Sequence, residues 1–256
     1  TPELVSKITT VPVEKIYKAA RMYASAERAG IFYTLGITEH TTGTSNVMNL
    51  SNLALLCGNI GIKGGGINPL RGQNNVQGAC DMAALPNYFP GYYNVLDDDN
   101  VKLFEEHWDC KLNRKMGLRI PEMLDGAAEG SVKAMYIMGE DPVLSDPDAN
   151  HVKHALSNLD FLVVQDINLT ETAKLADVVL PATCYAEKDG TFTASERRVQ
   201  RVRKAVEAPG QARLDWTILA DVSRRLGGKG FDWEKSEDVF DEIRKCMPTY
   251  RGITYD

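Results

Sequence analysis

Apolar residues recur at helical spacing from Val13 to Ala26, at Ile16, Ala20 and Tyr23, and the β-rich run Gly30-Ile31-Phe32-Tyr33-Thr34-Leu35 follows. Helix then strand is the prediction. Gly36-Ile37-Thr38-Glu39-His40 reads as a polar loop. A second helix from about Ser45 places Val47, Leu50, Ala54 and Cys57 on one face and stops at Gly58. The order returns downstream, where Ala134 to Met138 reads as a buried strand, Gly139 to Pro142 as a turn and Asp148 to Leu156 as a helix. Phe161 to Gln165 is the next strand with Asp166 at its C-terminal end, Thr170 to Leu175 a short helix, and Asp177 to Pro181 a short strand. This alternation predicts an α/β fold with doubly wound, mostly parallel sheets.

From Gly190 to Val206 the pattern shifts to residue-by-residue alternation, which predicts short antiparallel strands and a small β-rich module. Leu214 to Leu226 is then helical, with Trp216, Leu219, Ala220 and Val222 or Ser223 inward and Gly227-Gly228 as its end. A last helix, about Glu237 to Cys246, is expected to bury Val239, Phe240 and Ile243. Lys63 to Leu96 is rich in Gly, Asn and Pro and reads as one long loop, far beyond the roughly 4 to 6 residues of a typical connection. Gly64-Gly65-Gly66 reads as a turn and Asp97-Asp98-Asp99 as a solvated acidic tip.

Composition narrows the function classes. The 256 residues are 43% hydrophobic and 25% charged, enough for one large core or two smaller ones. A net charge of −6, without a dense Lys/Arg cluster, argues against a nucleic-acid partner. No apolar run approaches the roughly 20 residues of a membrane-spanning helix. The five cysteines, Cys57, Cys80, Cys110, Cys184 and Cys246, are too scattered for a metal-ligand spacing, so no metal ligand is expected among these residues. They suit a reducing compartment, hence a cytoplasmic location.

In open α/β sheets ligands bind outside the carboxyl ends of the strands, and three such ends carry Gly36 to Glu39, Gly139-Glu140-Asp141 and Gln165-Asp166. Carboxylates there suit ribose hydroxyls or guanine N–H groups. The alternative for Glu140 and Asp166 is turn and helix-cap duty. A G-x-G-x-x-G fingerprint is missing, which weighs against ordinary NAD or FAD binding. The densest polar segment, Leu70 to Met82, sets Arg71 before Gln73, Asn74, Asn75 and Gln77, with Gly72 and Gly78 allowing close backbone approach. Its amides could line a polar heterocycle or simply occupy a solvated loop. Arg71 has the fork to grip a carboxylate, or to form a surface ion pair. His40 could move protons near neutral pH or be merely solvated, and His151 and His154 are assigned to an exposed helix face.

The runs GITEHTTGTSNVMNLSNLALLCGNIGIKGGGINPLRGQNNVQGACDMAALPNYFPGY, YIMGEDPVLSDPD, VVQDINLTETAKLADVVLPATCYAEKDGTFTASERRVQ and LDWTILADVSRRLG closely resemble the formate dehydrogenase branch of the molybdopterin oxidoreductase family. RGQNNVQGACDM is specific to that branch, whereas strings like LADVVLPA occur across the family. The resemblance implies molybdenum or tungsten between two molybdopterin guanine dinucleotides, and electrons passing from formate to a [4Fe-4S] cluster. It implies that Arg71 orients the formate carboxylate. Gly36, Thr38, Glu39, Gly72 and Gln73 then contact the pterin–dinucleotide near the metal, with Glu39 standing where relatives carry an amide. Gly139, Glu140, Asp141, Gln165, Asp166 and Asp215 hold a guanosine end, Asp215 on the guanine N–H edge.

The cysteine motif for the cluster, the Cys or selenocysteine metal ligand and the pterin-clamping domain of the family are absent, which implies an internal portion of a catalytic subunit. The expected division is residues 1–73 in a first nucleotide-binding α/β domain and residues 74–184, with 214–235, in a second. Residues 185–213 and 236–256 then form the small mixed module. Implied partners are formate or carbon dioxide and iron–sulfur or flavin electron-transfer subunits. Rival readings are a related enzyme acting on nitrate or an S-oxide, a non-catalytic scaffold of the same fold, and an unrelated nucleotide-binding module.

Overall fold

Pro2 stands in the first turn of a helix, where its missing N–H costs nothing, and Thr1 Oγ1 accepts the Leu4 N–H at 3.4 Å. This helix, α1 (Pro2–Thr9), was not expected from hydrophobic spacing; α2 (Val13–Ser25) was. The computed structural model describes residues 1–256 in two units, 1–76 and 77–256. In the first, α1 packs on α2, and β1 (Gly30–Tyr33) pairs in parallel with β2 (Gly66–Pro69), from Gly30 beside Gly66 to Tyr33 beside Pro69. Between these strands run α3 (Leu35–Thr38) and α4 (Gly43–Leu56). The Asn59 side chain, 1% exposed, accepts the Ala29 N–H at 2.9 Å and so ties the end of the crossover to the start of β1.

A β-carbon built on Gly43 would lie 2.0 Å from the Thr38 carbonyl oxygen, so only glycine allows α3 and α4 to approach this closely. Asn46 Nδ2 donates to Ile37 O at 3.0 Å and fastens the same corner. The expected polar loop at 36–40 is therefore a short helix plus a turn.

The second unit begins in α5 (Val76–Asp81), continues through a hairpin of β3 (Tyr88–Phe89) and β4 (Tyr93–Asn94), and reaches α6 (Asp98–Trp108) and α7 (Ile120–Ala128). The single long loop expected over 63–96 is thus replaced by short elements that close locally. The acidic tip is a helix start: Asp97 Oδ1 accepts the Asp99 and Asn100 N–H groups at 3.0 and 3.1 Å, and the carboxylates sit at the positive end of the helix dipole.

Three strands, β5 (Ala134–Met138), β6 (Phe161–Asp166) and β7 (Val178–Pro181), form a parallel sheet in that order. The expected α/β architecture with parallel sheets is displayed by the β1–β2 pair and by the three-stranded sheet. Helix α8 (Pro142–Ser145) follows β5, and α9 (Ala149–Ser157) starts where Asp148 Oδ1 accepts the His151 N–H at 3.0 Å. Leu124 and Ala127 of α7 and Val152, Ala155 and Leu156 of α9 bury Ile137, Leu162 and Val164. The opposite row stays open, with Tyr136 38%, Met138 49% and Phe161 47% exposed. Strand β5 is therefore half-buried rather than fully buried. His154 is exposed as expected, whereas His151 is partly covered and its Nε2 lies 3.0 Å from Asp125 Oδ1.

β8 (Gly190–Thr193) and β9 (Val199–Val202) form the expected antiparallel pair. Helix α10 (Asp215–Arg225) turns Ile218 and Ala220 inward and leaves Leu219 38% exposed, which reverses part of the expected face. Helix α11 (Ser236–Cys246) buries Phe240, and a second core gathers Phe104, Phe240, Cys246, Met247 and Tyr250. Within it lies a polar hub. Asp81, 4% exposed, accepts from Gln77 Nε2 and the Tyr250 hydroxyl, both at 2.9 Å, and Tyr250 also meets Thr193 Oγ1 at 3.2 Å. Gln77 therefore faces inward, not into a ligand-lining loop. Burial, with Asp81 alongside, pushes the Tyr250 hydroxyl up to about 12.

Two stability measurements test these contacts. Gly43→Ala is expected to lower unfolding free energy by about 1–3 kcal/mol in urea denaturation, the scale of forced overpacking. Asp81→Leu removes the buried carboxylate to which Gln77 and the Tyr250 hydroxyl both donate and is expected to cost roughly 1–3 kcal/mol, with the Tyr250 absorbance titration moving to lower pH.

Candidate functional site

Both parallel sheets end at polar tips. In the first unit Leu70 N donates to Tyr33 O at 2.8 Å, which carries the ladder one residue past β2 and puts Arg71 just beyond the sheet's C-terminal edge. Arg71, Gly72 and Gln73 on one strand end, and Gly36, Thr38 and Glu39 on the other, are all exposed. Nothing lies within 4 Å of a β-carbon built on Gly36 or Gly72, so open space borders both backbones. His40 bends back, its Nε2 2.9 Å from Gly36 O, and serves the loop's own geometry.

In the second unit the three strand tips share an edge because the register is in step: Met138 pairs with Gln165, and Asp166 with Pro181. Gly139 N donates to Gln165 O at 2.9 Å and Ala182 N to Asp166 O at 3.0 Å. Gly139, at φ 65°, turns the chain away from the sheet and has open space where a β-carbon would be. Gln165, fully buried, accepts the Tyr136 hydroxyl on Oε1 and donates from Nε2 to Asp215 Oδ1 at 2.9 Å. The other Asp215 oxygen takes Lys188 Nζ, which also donates to Thr183 O at 3.0 Å. Asp215 opens α10, where the helix dipole favours its charge.

Such a chain fixes a carboxylate with lone pairs to spare at the mouth of the sheet, the chemistry that accepts paired N–H donors of a planar base. Burial, and then the Asp215 charge, raise the Tyr136 hydroxyl. Burial, and then the Asp146 carboxylate, raise the Glu140 carboxyl above the ordinary range. Asp166 does the turn work considered for it, whereas Asp141, though it stands before α8, makes no cap bond and ties the tip of β5 to the segment after β6. Asp141 Oδ1 accepts from Thr172 N at 3.0 Å and Thr172 Oγ1 at 2.5 Å, and Asp166 Oδ1 from Asn168 N at 2.9 Å. Tyr136 and Lys188 were missed by sequence reasoning. Alternation along β5 puts Tyr136 on the face of Met138, but no local pattern links Lys188 to a carboxylate 27 residues away.

No group of His, Cys, Asp and Glu is placed to hold a metal ion, and no helix is long and apolar enough to cross a membrane. A family model described as molybdopterin oxidoreductase matches residues 4–225. The chain belongs to that family. Among molybdopterin oxidoreductase relatives, the F420-dependent formate dehydrogenase subunit alpha of Methanocaldococcus jannaschii is 60% identical over 256 residues, all of this chain and 38% of that protein. Formate dehydrogenase H of Escherichia coli is 44% identical over 257 residues, with 36% of its length covered. The chain thus spans less than two fifths of these relatives. The solved structure of acetylene hydratase from Pelobacter acetylenicus superposes with a TM-score of 0.68 at 18% identity, over 99% of this chain and 37% of that one, a likeness of fold alone.

The raised Glu140 carboxyl yields a signed expectation. A folded-state value above the unfolded one penalises the native state once the group ionises, and the penalty is absent below the unfolded value of 4.5. Glu140→Gln is therefore expected to be more stable than the parent near pH 7 and indistinguishable from it near pH 4, by urea denaturation at each pH.

Proposed function

We propose that this chain is part of the catalytic subunit of a formate dehydrogenase, which oxidises formate reversibly to carbon dioxide. The reading is carried by Arg71, an exposed guanidinium two residues past the end of β2, in a segment specific to that branch of the family. Relatives named as formate dehydrogenases, at 60% and 44% identity along the whole chain, support it.

The cofactor in this proposal is a pair of molybdopterin guanine dinucleotides holding molybdenum or tungsten. The open backbone at Gly36, Gly72 and Gly139 suits close approach by a flat polar ligand, and the carboxylate of Asp215, held by Gln165 and Lys188, suits guanine N–H groups. Gly36, Thr38, Glu39, Gly72 and Gln73 would face the pterin end of a dinucleotide. Gly139, Glu140, Asp141, Gln165, Asp166 and Asp215 would face a guanosine end, with Tyr136 and Lys188 as supports. Asp141 and Asp166 can contribute through the carboxylate oxygens that Thr172 and Asn168 leave free. When bound, the metal centre supplies an acceptor for the two electrons of formate. A [4Fe-4S] cluster and iron–sulfur or flavin subunits complete the proposed electron path, and a cytoplasmic location accords with five free cysteines.

The task left to this chain is positioning. A guanidinium offers two parallel N–H donors to both carboxylate oxygens, which fixes the plane of formate and the direction of its C–H bond. A lysine in its place keeps the charge but loses the fork. In the complete protein, Arg71→Lys is expected to raise KM for formate and lower kcat, together by tenfold or more in kcat/KM, about 1.4 kcal/mol or above. Steady-state dye reduction with formate reads both constants, and unchanged values would remove Arg71 from the active site.

A further inference from the structure

The backbone around Lys188 fixes where its side chain can stand. Arg213 N donates to Pro181 O at 3.1 Å and Ala182 forms a parallel bridge with Arg213, so the chain leaving β7 and the chain entering α10 run side by side. Thr183 and Asp215 are therefore brought together by main-chain contacts. Beyond Thr183 the chain makes one tight turn, Tyr185–Glu187, closed where Glu187 Oε2 accepts Cys184 N at 3.0 Å, and the turn delivers Lys188 back to its own start. The ammonium donates to Thr183 O at 3.0 Å and to Asp215 Oδ2, and 27% of the side chain is exposed. Two acceptors on two segments hold it in place.

The effect falls on the Asp215 carboxylate. Gln165 Nε2 holds Oδ1 at 2.9 Å and Lys188 holds Oδ2, so rotation about the Cβ–Cγ bond is restrained at both oxygens. Each oxygen keeps a second lone pair, and together these make two parallel acceptors in one fixed plane. Guanine presents a ring N–H and an exocyclic amino group side by side, whereas hypoxanthine presents the ring N–H alone. Without the lysine, Oδ2 is released and the carboxylate swings about its remaining bond to Gln165, which weakens a two-point contact more than a one-point contact.

We propose that Lys188 is a positioning residue which, by holding Asp215 Oδ2, makes this edge select guanine over purines that lack the exocyclic amino group. The proposal rests on the guanosine reading of the edge and adds to it the group that enforces base selectivity. A competing role is charge balance beside Glu140, Asp141, Asp166 and Asp215. That role changes affinity for all nucleoside diphosphates alike, because their phosphates are the same whichever base is attached. Selectivity separates the two.

Equilibrium dialysis of the complete protein, prepared without its cofactor, with GDP and separately with IDP gives the ratio of the two dissociation constants. The parent is expected to prefer GDP by about tenfold or more, the worth of one hydrogen bond to a charged acceptor. Lys188→Met is expected to reduce the preference to roughly threefold or less, with GDP affinity falling further than IDP affinity. Lys188→Gln, uncharged and shorter, repeats the test should Lys188→Met fail to fold, and circular dichroism reads the fold of each variant. Lys188→Arg, which keeps N–H donors on a long side chain, is expected to recover part of the preference. An undiminished GDP preference in a folded Met or Gln variant, an equal loss for both nucleotides, or no recovery with arginine overturns the proposal and leaves the guanosine reading standing. A parent that binds neither nucleotide, or both equally, removes that reading and the proposal with it.

Discussion

Parallel pairing of β5, β6 and β7 is the constraint from which the candidate nucleoside edge follows. Parallel strands run the same way, so the residues after each strand emerge on one side of the sheet, and the register decides which of them are neighbours. Met138 beside Gln165, and Asp166 beside Pro181, bring Gly139, Gln165 and Ala182 to one line. A slip of one residue along β6 would turn Gln165 toward the aliphatic layer and expose Val164, so the apolar packing of Leu162 and Val164 against α7 and α9 also fixes where the amide points.

Buried polarity is used in two different ways in the second unit. Around Asp81 the hydrogen bonds turn inward: Gln77 and Tyr250 donate to its carboxylate and Tyr250 meets Thr193, among aromatic side chains, with the exposed Arg197 4.0 Å away at the rim. The hub specifies how α5 meets the C-terminal segment. Along Tyr136, Gln165, Asp215 and Lys188 the hydrogen bonds run out to a partly exposed carboxylate, Asp215 keeping 26% of its side-chain surface. The first arrangement stores specificity of folding, and the second presents an oriented charge.

Much of the second unit was legible because its signals are local. The apolar run Ala134–Met138, the Asp148 cap before α9 and the alternation over β8 and β9 each predict an element within a few residues of its observed limits. Strand β2 was not legible, since Gly-Ile-Asn-Pro has poor strand composition and becomes a strand only by pairing with β1, 36 residues earlier in register. Helix α6 was hidden by its three aspartates, which look solvated until the cap hydrogen bonds are seen. At the candidate site the same limit applies: Gln165 and Asp215 could be singled out, but the links to Tyr136 and Lys188 span 29 and 27 residues and leave no periodic trace.

One oxygen of the Asp141 carboxylate takes both the N–H and the hydroxyl of Thr172, and that hydroxyl in turn accepts the Val143 N–H at 3.2 Å. Two loop tips from different strands are thereby knotted through a single threonine, itself wholly enclosed. A guest that drew the Asp141 carboxylate fully toward itself would have to loosen that knot, so occupancy of this edge and the stiffness of the segment around residue 172 would rise or fall as one quantity.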